Sequence, residues 1–123
     1  MPGTPEAYYT VCDRAHEGLD LSTEGYLRLP DTLTGTDSVI LRLYHDASYS
    51  GKPLGVSVRF GEQPNEAIRI NSAFNDEDLR VHLANGKVIP FGTKVRVSGR
   101  VYFPVLAQDF DCALDRPYIE EAK

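Results

Sequence analysis

Residues 94–104, Lys-Val-Arg-Val-Ser-Gly-Arg-Val-Tyr-Phe-Pro, constrain the fold of this chain more than any other stretch. Val95, Val97, Gly99, Val101 and Phe103 alternate with Arg96, Ser98, Arg100 and Tyr102, the period of a strand with one buried and one wet face. An echo lies upstream. Glu24-Gly25-Tyr26-Leu27-Arg28-Leu29-Pro30 repeats the order polar, Gly, polar, apolar, polar, apolar, Pro found from Ser98 to Pro104. Two long strands therefore each carry a glycine on the inward face and stop at a proline, which cannot donate to a ladder.

The upstream strand starts early, because Leu19, Leu21, Thr23, Gly25, Leu27 and Leu29 share one side through to Pro30. Such an alternation is long for one strand, and a glycine in its middle permits a sharp bend. Two shorter strands follow at Val39–His45, with Val39, Leu41 and Leu43 inward, and at Gly55–Phe60, with Val56, Val58 and Phe60 inward. Loops rich in Thr, Gly, Asp and Ser separate them. Cys112–Glu120 supplies a closing strand with Leu114 and Ile119 facing in.

Ahead of these strands, Ala7–His16 is expected to form a short helix, with Tyr8, Val11, Cys12 and Ala15 at helical spacing and Gly18 as a stop. Ala67–Ile70 is a short apolar run that can extend the sheet. Residues 75–89 support two readings. Leu79 to Leu83, then Asn85-Gly86, then Val88 and Ile89 fit a hairpin with a primed turn. Asn75 as N-cap, Asp78 three residues on and Gly86 as a stop fit a short helix instead. We favour the hairpin.

A chain of 123 residues makes one core and no more. No apolar run approaches the roughly 20 residues of a membrane-spanning helix. Lys and Arg number 13 against 18 Asp and Glu, a net charge of −5, which weakens non-specific attraction to nucleic acid or anionic lipid. Met1 to Glu6 has no basic start and no apolar stretch, so it is not a signal peptide. It reads as the tail of a Pro- and Thr-rich linker, residues 1–6, ahead of a single domain at 7–121. An exported or lipid-anchored, extracytoplasmic protein is expected, with a native cytoplasmic start as the alternative.

Cys12 and Cys112 lie near opposite ends of the chain. Domain ends commonly lie close together, so a Cys12–Cys112 disulfide is expected, and with it an oxidising compartment. Two unrelated buried thiols are the alternative.

The bent strand at residues 19–30, the pair at 39–45 and 55–60, and the run Val-Arg-Val-Ser-Gly-Arg-Val at 95–101 together resemble the oligonucleotide/oligosaccharide-binding (OB) fold. The resemblance covers most of the chain from Leu19 onward, and the last run is similar to the fourth strand of small bacterial OB domains of envelope proteins and lipoproteins. It implies an all-β, five-stranded Greek-key barrel, here with a short N-terminal helix and an inserted hairpin between strands three and four. The hairpin departs from the family, which usually places a helix there. An immunoglobulin-type sandwich fits less well, with no Trp present and the cysteines too widely spaced.

No catalytic set stands out. His16, His45 and His82 are scattered over three elements, and neither cysteine has a nucleophile's surroundings. No His or Cys spacing suits a metal, and Asp76-Glu77-Asp78 and the Asp109/Asp111 pair read as solvated loop charge. No glycine-rich phosphate cradle is present. The expectation is a protein that is not an enzyme and needs neither cofactor nor metal.

What remains is the outward face of the strands. Bases outnumber acids there, as with Arg42, Lys52 and Arg59 against Asp46 over residues 39–61. Tyrosines stand among them. The OB resemblance implies a ligand crossing strands two and three, and single-stranded nucleic acid would use Tyr for stacking and Arg for phosphate. Carried onto this chain, that implies Arg28, Arg42, Tyr44 and Arg59, with Tyr49 in a neighbouring loop. The ligand classes are single-stranded nucleic acid or oligosaccharide, with an envelope protein partner as the alternative. The plainer reading is that cross-strand Tyr–Arg pairs steady the sheet, and the negative net charge favours it.

Overall fold

The alternating segments form eight strands in a computed structural model of the chain, which describes residues 3–33, 35–71, 73–106 and 108–122. They are β1 (Thr4–Pro5), β2 (Asp20–Arg28), β3 (Ser38–Tyr44), β4 (Leu54–Arg59), β5 (Arg80–His82), β6 (Val88–Pro90), β7 (Lys94–Tyr102) and β8 (Ala113–Glu121). Five close into a barrel in the order β2-β3-β4-β8-β7, with β7 returning to β2. Neighbours are antiparallel except β4 and β8, which run parallel. The fold is therefore the all-β, OB-like barrel that the strand pattern implies.

β2 is shared between two partners. Its first part, Asp20 to Tyr26, pairs with Arg100 to Lys94 of β7. Its end, Tyr26 to Arg28, pairs with Tyr44 to Arg42 of β3. Gly25 sits at this handover, and a Cβ there would collide with the carbonyl oxygen of Tyr44. At Gly99 a Cβ would lie 2.8 Å from both the Asp115 carbonyl oxygen and Leu114 Cβ. The two glycines matched in sequence thus occupy the places where a third strand comes too near for any side chain.

The barrel interior is filled by Leu21, Leu27, Leu41, Leu43, Val56, Val58, Val95, Val97, Val101, Leu114 and Ile119. Leu114 and Ile119 are an odd number apart yet both face in. A bulge explains this, since Asp115 pairs with Arg100 but Tyr118 pairs with Ser98, which gives β8 one extra residue. Leu19 belongs to the same alternation in sequence but is exposed, because the strand begins one residue later.

The expected helix at Ala7–His16 is not formed. Two single 3₁₀ turns, Tyr8–Thr10 and Arg14–His16, take its place. Tertiary anchors set this path. The Tyr8 hydroxyl donates toward the carbonyls of Leu43 and Lys52, both at 2.8 Å, Val11 is fully buried, and Cys12 is bonded to Cys112 with Cα atoms 5.4 Å apart. Asp13 then accepts the Ala15 amide at 2.9 Å and starts a new turn, which leaves Ala15 exposed. Upstream, Thr4 and Pro5 lie alongside Leu21 and Ser22 in parallel.

The hairpin between β4 and β7 is present as β5 and β6, but its turn is not primed. The Gly86 amide donates to Leu83 O at 2.8 Å, the Leu83 amide to Lys87 O at 2.7 Å, and Gly86 has φ 88° while Asn85 is not left-handed. This is a three-residue loop closed by a left-handed glycine. The competing helix survives as one 3₁₀ turn, Asp76–Asp78, closed where the Asn75 amide donates to Asp78 Oδ2 at 2.8 Å. Of the run Ala67–Ile70, Ala67 alone bridges the sheets, to Phe60 and to Val81. Among the described residues no helix is long and apolar enough to cross a membrane.

Candidate binding face on β2 and β3

The antiparallel pairing of β2 with β3 sets Tyr26 beside Tyr44 and Arg28 beside Arg42 on the outer surface. The loop after β3 returns over them. Its turn is held by Asp46, whose Oδ1 accepts the Ser48 amide at 3.2 Å and its hydroxyl at 2.6 Å. These bonds keep the Asp46 carboxyl below its ordinary pKa. Tyr49 follows with φ 55°, a left-handed conformation unusual for an aromatic residue. Its ring stacks on Phe91, with centroids 5.2 Å apart and planes 13° apart. The ring also meets Tyr44 edge-on at 5.7 Å and Tyr26 edge-on at 6.3 Å. Burial pushes the Tyr49 hydroxyl above its ordinary pKa, and nearby Asp76 adds to the shift.

Both arginines of this face are already occupied. Arg28 Nε lies 2.9 Å from Asp76 Oδ2, and its guanidinium sits 5.8 Å from the Tyr49 ring centroid. The hydrogen bond to Asp76 raises the Arg28 pKa further. Arg42 makes a two-pronged contact with Asp109, Nη2 to Oδ1 at 2.8 Å and Nε to Oδ2 at 3.2 Å. It also lies 4.9 Å from the Phe110 ring centroid and donates to Ile40 O. The Arg42 guanidinium holds the Asp109 carboxyl below the usual carboxylate range. A groove of about 440 Å³ lies beside these pairs, lined by Arg28, Asp31, Ile40, Arg42, Tyr44 and Asp109 among others.

The structure thus brings together Arg28, Arg42, Tyr44 and Tyr49, and it does not bring Arg59 to them. Arg59 is exposed at the end of β4 and lines a different groove. Sequence reading missed the partners of the bases. Asp76 and Asp109, taken as solvated loop charge, are 48 and 67 residues from the arginines they hold, and Asp111 holds Lys52 at 2.7 Å. It also missed Phe91, whose one signal is an aromatic residue between Pro90 and Gly92 in a turn. Among the described residues no group of three or more His, Cys, Asp or Glu is placed to hold a metal ion.

Set against family models, curated proteins and solved structures, the chain matches none of them.

Proposed function

We propose that the chain is a non-catalytic binding module of the OB superfamily, whose β2–β3 face takes an uncharged oligosaccharide rather than nucleic acid. The pre-existing ion pairs Arg28–Asp76 and Arg42–Asp109 carry this reading. A polyanion draws its affinity from free cations that replace counterions along phosphates. Here it would first have to displace two carboxylates, one of them held by a two-pronged bond. A sugar chain has no such conflict. An arginine–aspartate pair offers a donor and an acceptor side by side, as a hydroxyl requires. The cluster of Tyr26, Tyr44, Tyr49 and Phe91 gives rings on which the apolar faces of pyranoses can lie. The barrel's strand order, with β4 and β8 as its parallel pair, supports the OB assignment, and the Cys12–Cys112 bond supports an exported or lipid-anchored setting.

With no Trp in the chain and three of its seven tyrosines, Tyr26, Tyr44 and Tyr49, on this face, tyrosine fluorescence includes a signal from the face. Titration with oligosaccharides should change it saturably, with little dependence on salt, and Tyr44→Ala should weaken binding by about tenfold or more. Tight binding of single-stranded oligonucleotides with a steep salt slope, and none of the sugars, would reverse the assignment.

A protein partner is the second reading. Its support is the exposed apolar pair Val105 and Leu106, in the β7–β8 connection that also supplies Asp109. A partner that co-purifies with the full-length protein, is lost with Leu106→Ser and is indifferent to Arg42→Ala would favour it.

A further inference from the structure

A second groove, of about 550 Å³ and sharing no lining residue with the first, lies where β4 and β8 part company. Their pairing stops after Val56–Leu114. Immediately beyond, the β8 bulge places Arg116 at φ 52°, a conformation that favours glycine or asparagine at a bulge. The other left-handed residue on this groove, Asn65 at φ 66°, has a structural reason for being there. Its Oδ1 accepts the Ile119 amide at 2.8 Å and so fills the gap in the barrel wall.

Arg116 has no comparable protein partner. Among the described residues neither its guanidinium nor that of Arg59, across the groove on β4, has a carboxylate within ion-pair distance. Two acids, Asp115 and Glu66, also line the groove. Among the described residues neither forms an ion pair with an arginine, and Glu66 Oε1 accepts the Gln63 amide at 3.0 Å. Ser57 shares the outward side of β4 with Arg59, and Ser38 is the cross-strand neighbour of Arg59 on β3. An oxyanion seated beside these two guanidiniums would accept charge-assisted hydrogen bonds from them.

We propose that this seam is a second binding site, taking the carboxylate or phosphate group of a small ligand between Arg59 and Arg116, with Ser38 and Ser57 as further hydroxyl donors. It stands apart from the sugar-binding reading of the first face. Arg116 keeps a strained backbone because its side chain serves the ligand and not the fold.

The test is an NMR titration of the isotopically labelled protein with inorganic phosphate and, separately, with succinate, against chloride at matched ionic strength. The Arg59 and Arg116 Nε–H signals and the Ser57 amide should move saturably, while those of Arg28 and Arg42 stay in place. Whichever of phosphate and succinate saturates first identifies the group the site prefers. Arg116→Gly should keep the thermal midpoint or raise it, since glycine suits φ 52°, and should weaken anion binding by about tenfold. Arg59→Gln should weaken it similarly with an unaltered fold. Shifts that chloride reproduces, or an Arg116→Gly protein that binds as tightly as its parent, would overturn the proposal.

Discussion

The barrel is closed by two seams of opposite construction. Between β2 and β7 the antiparallel ladder is unbroken from Asp20–Arg100 to Tyr26–Lys94, and Glu24 braces it on the outside by reaching Lys94 and Arg96. Between β4 and β8 the parallel ladder covers Gly55–Ala113 and Val56–Leu114, after which a bulge and the Asn65 side chain take over. Parallel pairing is slightly weaker per residue, and here it is also brief. The long seam is braced along its length, whereas the short one leaves a groove on which two arginines have no ion pair among the described residues.

Breaking the disulfide is the strongest way to separate the two seams. The Cys112 carbonyl accepts the Gly55 amide at 3.1 Å at the very start of the short seam, so Cys12–Cys112 anchors that seam directly to the N-terminal segment. A crosslink with a sequence separation of 100 restricts the unfolded chain enough to contribute up to about 4–5 kcal/mol. Reduction, or Cys12→Ala with Cys112→Ala, should lower stability by several kcal/mol on this scale. Hydrogen exchange should show amides of β4 and β8 losing protection before those of β2 and β7. Equal loss on both seams would mean that the crosslink acts on the barrel as a whole.

Glycine substitutions sharpen the same contrast at a smaller scale. At Gly25 a new Cβ meets backbone, the Tyr44 carbonyl oxygen, which cannot yield without shifting β3. At Gly55, on the short seam, the nearest atoms are Ala113 Cβ and the buried Phe110 ring, both at 2.9 Å, and Ala113 Cβ gives way only if β8 shifts slightly. Gly25→Ala, whose clash is the closer one and falls on backbone, should therefore cost about 3 kcal/mol and Gly55→Ala about 2 kcal/mol in urea unfolding. The reverse order would show that the short seam is the more tightly packed one.

This asymmetry explains which parts of the molecule could be read from the chain. The glycine match between residues 24–30 and 98–104 was legible because strand period is local and because a residue without a side chain marks a close approach. Helical spacing at Tyr8, Val11 and Cys12 was equally legible and led to the wrong element, since the Tyr8 hydroxyl and the disulfide dictate the path from outside the segment. Strand parity correctly placed Arg28, Arg42 and Arg59 on outward faces. It could not tell that the register sets Arg59 opposite Ser38, at the other end of β3 from Arg42, nor that Asp76 and Asp109 would arrive from distant loops to neutralise the first two arginines. Charge pairing across the closed ring has no local signature.

Acid titration offers the mildest way to probe the difference between the grooves. Asp109 is held below its ordinary pKa first by the Arg42 hydrogen bond, against a smaller opposing effect of burial. A carboxyl with a depressed folded pKa stabilises the protein above its unfolded value, about 3.9, and that contribution fades as pH falls through the lower folded value. The pair is partly open to solvent, so the stability change is small and is best followed locally. On acidification below about pH 4, the Asp109 carboxyl should protonate late, and the Arg42 Nε–H signal should move in step with it. Asp109→Asn should abolish that movement while leaving the signals of Arg59 and Arg116 untouched. With Asp109 protonated or replaced, Arg42 loses its carboxylate partner, and on the proposed sugar-binding reading the first face should then bind short oligonucleotides more tightly than at neutral pH. If it binds them no more tightly, the pairing with Asp109 is not what sets its ligand, and the aromatic cluster alone decides.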